Sequence, residues 1–463
     1  MSIFYSYVRK YWKMGVVVLI LAAINQIFSL LDPYIFRFVI DKYATHPDLY
    51  TKIEFFKGVG LLLLAIIGVA FVSRVAKNFQ DYFLNGMTQR VGADIYKDGI
   101  SHALSLPYNV FEDERSGETL GKLQKVRIDM EKLIAALVNV LFISLVGFIF
   151  VAIYAINIYW PIAVVYFSTI PIIGGLSVLL SKKIKNIQTV IVAETTALAG
   201  ATTESLRNIE VVKSLGLAGQ EINRLNATTN KILRLELKKL RYLRSLSFIQ
   251  GTAINFIRSS ILFFLLYLIF AKIITFGEFF SLFIYSFFIF GPLQELGTII
   301  NTYREAEASL ANFQKLMHTP KEVVATNPVH IGKVEELELK NVSFKYNSGQ
   351  DMALSGISFN VKVGQTIAFV GPSGSGKTSL VKLLVGLYTP TEGQICYNNV
   401  PFTDVDKEEV RKQIGFVTQD TQLFAGTIRE NLLFVRPDAT DVECLAALNM
   451  AQCQNLLARG GKG

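Results

Sequence analysis

The sequence has few residues that could build a disulfide framework or a metal cluster. Its 463 residues include only three cysteines, Cys396, Cys444 and Cys453, all in the last third of the chain. They show neither a CxxC pair nor any other metal-ligand spacing, which excludes a zinc ribbon. The pattern favours a reduced, cytoplasmic setting in which no disulfide forms.

Charge is scarce as well, and apolar residues are abundant. Asp, Glu, Lys and Arg make up 18% of the chain, hydrophobic residues 51%, and mean hydropathy is +0.39, which is too high for an ordinary soluble enzyme. The formal net charge is +9. We interpret this excess as the Lys and Arg of cytoplasmic loops in a membrane protein, and we expect no nucleic-acid partner.

Six apolar runs have the length of a membrane helix, which is about 20 residues. They span 15–40, 56–76, 134–157, 160–181, 246–270 and 273–298. The first is too long for a signal-peptide core and lacks a small-x-small cleavage pattern, so we expect it to be retained. The segment 182–244 holds twelve Lys/Arg against five Asp/Glu. The positive-inside bias therefore predicts that both termini and both long loops are cytoplasmic.

Those two long loops, 77–133 and 182–245, have helical periodicity, as in Leu225, Ile232 and Leu235. We expect membrane helices that continue into the cytoplasm by about 25 residues, or roughly 35–40 Å. The segments 106–118 and 202–214 are the candidates for short turning helices at the tips, and solvated loops are the alternative.

Two arginines lie within the apolar runs. Arg258 is in the middle of its span, where an ionisable group is costly and usually faces protein or water. It could meet an anionic substrate head group, or it could be a structural charge; structure is the favoured alternative. Arg37 lies near the outer end of the first span, where snorkelling of the side chain would suffice.

The chain changes character near residue 318. A polar stretch with Pro320 and Pro328 is typical of a linker, and "LELKNVSFKY" and "QTIAFV" after it are predicted to be strands.

Directly after the second predicted strand comes "VGPSGSGKTS", which fits GxxxxGK[ST] at every fixed position. Glycines let backbone N–H groups wrap a phosphate, and the following helix points its positive end at the same anion. Lys377 would reach the β- and γ-phosphates, and the Thr378 hydroxyl would complete a Mg²⁺ shell. The nucleotide-binding candidates here are Gly371, Pro372, Ser373, Gly374, Ser375, Gly376, Lys377, Thr378 and Ser379.

With this motif in place, the chain resembles an ATP-binding cassette (ABC) exporter half-transporter along nearly its whole length. "FKY" puts Tyr346 twenty-five residues before the phosphate loop, as in the family's adenine-stacking loop. "IGFVTQDTQLFAGTIREN" resembles the Q-loop segment, in which Gln419 would touch Mg²⁺ and sense the membrane domain. "LPYNVFEDERSGE" and "TESLRNIEVVKSLGLAGQE" resemble the two coupling segments, and "EAEASLANFQKLM" the exit from the sixth helix.

The resemblance implies a multi-pass α-helical membrane domain of six transmembrane helices at 1–317, a linker at 318–333 and an incomplete α/β nucleotide-binding domain of the P-loop NTPase type at 334–463. It further implies ATP and Mg²⁺ as ligands, a second half-transporter as partner, contact with membrane lipid, and a hydrophobic or amphipathic cargo such as a drug, lipid or peptide. The half-size layout suggests a bacterial plasma membrane.

The sequence departs from the family pattern in one large respect. After the phosphate loop there is no LSGGQ-like signature and no apolar strand ending in Asp-Glu, and the histidines, His46, His102, His318 and His330, all precede the motif. We therefore expect a fragment of a longer protein or a truncated product. It would be an ATPase-coupled translocase when complete, but it lacks the catalytic Glu and switch His. The alternatives are an ATP-binding but non-hydrolysing regulatory half, and an ATP-gated channel of the same architecture.

Overall fold

A computed structural model describes residues 2–113, 116–322, 325, 327–346, 349, 351–418 and 423–453. The chain forms two compact units. The first comprises Met1–Leu106 and Glu114–Lys321, and the second comprises Pro107–Asp113 and Glu322–Gly463. The unit boundary at Lys321 lies within the stretch that the sequence identifies as a linker.

All the regular elements described in the first unit are helices. Its helices in chain order are α1 (Ser2–Lys10), α2 (Trp12–Phe38), α3 (Lys52–Leu104), α5 (Ser116–Ala136), α6 (Ile143–Arg207), α7 (Ile209–Ser214), α8 (Ala218–Phe270) and α9 (Phe276–His318), and α4 (Tyr108–Asp113) belongs to the second unit. Wider π-helical turns follow α2 at Val39–Ala44 and α5 at Leu137–Phe142. Thr51 and Thr275 start α3 and α9 with capping boxes, which satisfy N–H groups that have no partner within the helix.

Five helical stretches are long and apolar enough to cross a membrane. They are Trp12–Ala44, Lys52–Leu104, Gly121–Gly175, Ala218–Phe270 and Phe276–His318. The third contains the predicted span 134–157 and most of 160–181, and the backbone leaves helical geometry between them at Tyr159 (φ −160°, ψ 109°). The rings of Phe148 and Phe167 lie 6.3 Å apart, whereas a straight helix would separate residues nineteen apart by roughly 28 Å. The chain therefore reverses at Tyr159, and the described helices supply six passes.

Buried tyrosines tie the passes together. Tyr166 on α6 donates to the backbone oxygen of Leu282 at 2.8 Å, and Tyr285 on α9 donates to that of Leu30 at 2.6 Å. Both side chains are fully buried. Since an unpaired hydroxyl is costly in an apolar interior, these bonds fix how α2, α6 and α9 pack.

The sequence suggested that Arg37 would snorkel to the membrane surface, but in the structure its charge is paired within the protein. Its guanidinium donates to Glu278 on α9 at 2.6 Å and to Asp41 at 3.4 Å, and its side chain is 22% exposed. No local sequence pattern indicates this partner, because Glu278 lies 241 residues away along the chain. Arg37 thus joins α2 to the start of α9.

The helical continuations predicted from periodicity are present. α3 and α8 each have 53 residues, or roughly 80 Å of helix, far more than one bilayer crossing requires. Short helices follow at both predicted turning segments, α4 in the first and α7 in the second.

The second unit contains an antiparallel sheet with strand order β2-β1-β3-β4. Its strands are β1 (Glu336–Phe344), β2 (Leu354–Lys362), β3 (Glu392–Tyr397) and β4 (Val400–Pro401), and its later helices are α10 (Lys377–Leu384), α11 (Lys407–Arg411), α12 (Ile428–Val435) and α13 (Asp441–Met450). Leu339 in the central strand pairs with Phe359 on one side and Ile395 on the other. Leu339, Ile395 and Leu383 of α10 are buried in one cluster, which seats α10 against the sheet.

The predicted strand "QTIAFV" is not a strand in the described structure. Residues 365–370 have no regular structure, and Val370 is 94% exposed. A strand requires a ladder of hydrogen bonds to a neighbour, and none of the four described strands pairs with this segment. Its contacts with β2 include the ring of Phe369, which packs on Phe359 with centroids 5.7 Å apart, and hydrogen bonds between Gln365 and Lys362.

Candidate nucleotide-binding site

The phosphate loop depends on glycine at two positions. Gly374 and Gly376 have φ of +84° and +86°, a region that other residues adopt only at a cost. A Cβ on Gly376 would also lie 2.6 Å from the backbone oxygen of Ala353. The motif's last glycine is therefore required both by its conformation and by the close approach of the segment before β2.

Lys377 begins α10 and folds back over the loop. Its Nζ donates to the backbone oxygens of Gly371 at 2.9 Å and Pro372 at 2.8 Å, and to Ser375 Oγ at 3.3 Å. The first intrahelical bond runs from Leu380 N to Gly376 O, so the preceding N–H groups of α10 point out of the helix end. An ammonium group and a helix N-terminus thus converge on the space above the loop, an arrangement suited to a phosphate.

The two hydroxyl residues after Lys377 have different environments. Thr378 is exposed, so its hydroxyl is available to a Mg²⁺ ion whose other ligands are phosphate oxygens and water, which is the usual way this ion is held. Ser379 is buried, and its Oγ lies 2.7 Å from the hydroxyl of Tyr346. Of the two predicted Mg²⁺ ligands, only Thr378 lies within the described residues, and its hydroxyl fits this role. Gln419, the other predicted ligand, lies outside the described residues.

Tyr346 belongs to a group of four rings that we call the aromatic cluster: Tyr108, Phe344, Tyr346 and Tyr388. The ring of Tyr346 lies 4.8 Å from Phe344 and 5.4 Å from Tyr388, and Tyr388 lies 5.5 Å from Tyr108 of α4. Lys382 of α10 places its ammonium 5.3 Å from the Tyr108 ring and 5.6 Å from the Tyr388 ring. A chain of contacts therefore joins α10, the helix after the phosphate loop, to Tyr346, the predicted adenine-stacking residue, and to α4.

Sequence reasoning missed Tyr388 and Lys382. The only sequence signal is an aromatic residue soon after the helix that follows a phosphate loop, in "GLYTP". Such a residue has no defined partner until the fold brings β1 and α4 to it.

The far end of α10 is anchored by two polar contacts. Tyr397 of β3 donates to Leu384 O, and burial raises the pKa of the Tyr397 phenol to about 12. Arg411 of α11 donates to Gly386 O at 2.9 Å and also pairs with Glu322 at 2.9 Å. These bonds hold α10 along its axis, so its N-terminus stays at the loop.

Glu322 is the first residue of the second unit's main segment, and it pairs with Arg411 and with Lys407 at 3.2 Å. Partial burial alone would raise the pKa of its carboxyl, but the hydrogen bonds and charges of the two cations outweigh it. The pKa of Glu322 therefore lies below its usual value. The carboxylate fastens the start of this unit to α11.

Comparison with known families identifies both units. The ABC transporter transmembrane region matches residues 16–293, and the ABC transporter domain matches residues 354–461. The chain belongs to the ABC transporter family. The predicted fold class, a helical exporter-type membrane domain with a P-loop nucleotide-binding domain, is confirmed.

Relatives of this ABC transporter chain include exporters. It is 25% identical over 402 residues to a multidrug resistance ABC transporter ATP-binding and permease protein of Lactococcus lactis, covering 85% of this chain and 66% of that protein. It is 23% identical over 462 residues to the leukotoxin export ATP-binding protein LtxB of Aggregatibacter actinomycetemcomitans, covering 98% and 63%. The chain thus spans about two thirds of the length of these two relatives.

A solved structure shares the fold. The structure of a bacterial Atm1-family ABC exporter with ATP bound superposes with a TM-score of 0.82 at 20% identity, covering 96% of this chain and 78% of that one.

Proposed function

We propose that this chain is one half of a dimeric ABC transporter that uses ATP to export an amphipathic or hydrophobic substrate. One observation carries the proposal. Helix α4 lies between α3 and α5 in the chain, yet it belongs to the nucleotide-binding unit, where Tyr108 contacts Tyr388 and Lys382. A shift of that unit therefore pulls on two membrane helices through α4.

The proposed cycle begins with ATP at the phosphate loop. Lys377 and the N-terminus of α10 bind the phosphates, Thr378 and Gln419 hold Mg²⁺, and Tyr346 stacks on adenine after its hydroxyl leaves Ser379. Two cassettes then close on two ATP molecules. Closure turns the membrane cavity outward, because ATP favours the closed state by its differential affinity. Hydrolysis, in which the protein mainly positions groups and neutralises charge, reopens it.

The setting is part of the proposal. We place residues 1–317 in the membrane domain, 318–333 in the linker and 334–463 in the nucleotide-binding domain, with both termini cytoplasmic in a bacterial plasma membrane. The multidrug and leukotoxin exporters among the relatives support a hydrophobic or amphipathic cargo. The partner is a second half-transporter.

The test is ATP binding and ATP-driven transport by the full-length transporter in proteoliposomes. A unit charge about 4 Å from a phosphate charge contributes up to roughly 4 kcal/mol at an effective dielectric constant of about 20. We expect Lys377→Ala to weaken ATP binding by about 30- to 700-fold, equivalent to about 2–4 kcal/mol, and to abolish transport. Lys412→Ala, an exposed cation beyond α11, is the matched control and should change neither. Unaltered ATP affinity in Lys377→Ala would overturn the site, and ATP binding without any ATP-dependent substrate movement would overturn the export function.

A further inference from the structure

Arg258 lies on the face of α8 that packs against protein. The buried residues of the membrane part of this helix recur at helical spacing and form one stripe: Ile254, Ile261, Leu265 and Leu268. Arg258 follows Ile254 by four positions and precedes Ile261 by three, so it falls within that stripe. The opposite face is apolar and exposed: Phe256, Phe263, Tyr267 and Phe270. The guanidinium is thus directed into the bundle.

No acidic partner neutralises this cation among the described residues. Arg258 donates to Asn255 Oδ1 at 2.7 Å, and its guanidinium carbon lies 4.9 Å from the ring centroid of Phe287 on α9. No described carboxylate pairs with it, and the side chain remains partly exposed although it lies in the buried stripe. A charge at this depth is costly, and a purely structural arginine usually acquires a counter-charge. Among the described residues, the guanidinium of Arg258 has an amide oxygen and an aromatic ring beside it, but no counter-charge.

Three phenylalanines on α9 form a row that ends beside Arg258. Phe279, Phe283 and Phe287 recur every fourth residue, with ring centroids 6.4 Å and 5.5 Å apart. Eight residues of helix rise by about 12 Å, so the rings form an apolar track of that length from the start of α9 to Arg258. Phe279 and Phe283 are partly buried, and Phe287 is 48% exposed.

We propose that Arg258 and this phenylalanine track form a binding site for a single-chain amphiphile with an anionic head group, namely a phosphate, sulfate or carboxylate. The guanidinium, which Asn255 orients through its hydrogen bond, binds the head group. The alkyl chain lies along Phe287, Phe283 and Phe279. The inference rests on the proposed export function, and it narrows the cargo to anionic amphiphiles.

The test is equilibrium binding of radiolabelled dodecyl phosphate to the protein in phosphatidylcholine nanodiscs, compared with dodecyltrimethylammonium and dodecyl maltoside. We expect saturable binding of the phosphate alone. Arg258→Gln should weaken it at least about tenfold, the usual loss for a hydrogen bond to a charged group. Arg258→Lys, which keeps the charge, should retain most of the affinity, and Arg244→Gln on the exposed part of α8 should bind like the wild type.

ATP affinity of each variant serves as the folding control. Equal binding of all three probes, or wild-type binding by Arg258→Gln, would refute the site. Displacement of dodecyl phosphate when phosphatidylglycerol replaces phosphatidylcholine would assign the site to a bilayer lipid and refute its role for cargo. Anion-selective binding without ATP-driven transport would count against the export function and leave this site in place.

Discussion

The contacts of Tyr108 within the nucleotide-binding unit give the sharpest prediction. Tyr108→Ala removes an edge-to-face ring pair with Tyr388 and a cation–π contact with Lys382. Such interactions contribute about 0.5–1.5 and 0.5–1 kcal/mol respectively. The equilibrium that keeps α4 in place should therefore weaken by roughly 1–2.5 kcal/mol, or about 5- to 60-fold. Tyr108→Phe keeps the ring and should behave like the wild type.

Hydrogen exchange of the backbone amides in Pro107–Asp113 measures this equilibrium directly, because exchange requires local opening. Protection in Tyr108→Ala should fall by the factor above. ATP affinity should stay unchanged, since Tyr108 is not among the predicted nucleotide contacts, and ATP-driven transport should fall. Wild-type protection and transport in Tyr108→Ala would show that the ring contacts do not couple ATP binding to transport. Losses of protection and transport in Tyr108→Phe equal to those in Tyr108→Ala would show the same.

Two further predictions concern the nucleotide-binding unit. Gly376→Ala should lower both the unfolding temperature and ATP affinity, because φ of +86° costs about 1–2 kcal/mol for alanine and the new Cβ meets the backbone oxygen of Ala353. The control is Gly364→Ala, at φ +83° with open space around it, which should show the conformational cost alone. Equal effects of the two substitutions would contradict the contact with Ala353. Glu322→Gln should destabilise the protein by about 1 kcal/mol near neutral pH, because Arg411 lowers the pKa of the Glu322 carboxyl in the folded protein. Such a carboxyl stabilises the fold above its unfolded pKa of about 4.3, and this effect is lost as pH falls through the folded pKa. A difference in unfolding temperature from the wild type that does not shrink as pH falls below about 4.3 would contradict this reasoning.

The membrane passes were predictable because length and periodicity carry their information locally. Runs such as 56–76 and 246–270 both lie within long helices, α3 and α8. Partnerships across the chain were not predictable in this way. Arg37 finds Glu278 only when α2 and α9 pack side by side, and no local pattern specifies that neighbour.

In the nucleotide-binding site, too, the local motif was predictable from the sequence and the contacts with distant residues were not. The phosphate loop is a contiguous motif whose glycines and Lys377 act on one another within eight residues, so the sequence predicted it. Its supports come from elsewhere: Tyr397 and Arg411 reach α10 from β3 and α11. The strand that was predicted at 365–370 but is not formed shows the limit, because apolar β-branched composition indicates a strand only where a neighbouring strand supplies the hydrogen bonds.

The reversal at Tyr159 has a mechanical consequence. A single non-helical residue joins two membrane passes there, with no loop to absorb relative motion. With so short a connection the two passes are expected to move together, so a displacement at the far end of α6 is transmitted to the turn. The turn at Tyr159 therefore has little freedom to move independently of either pass.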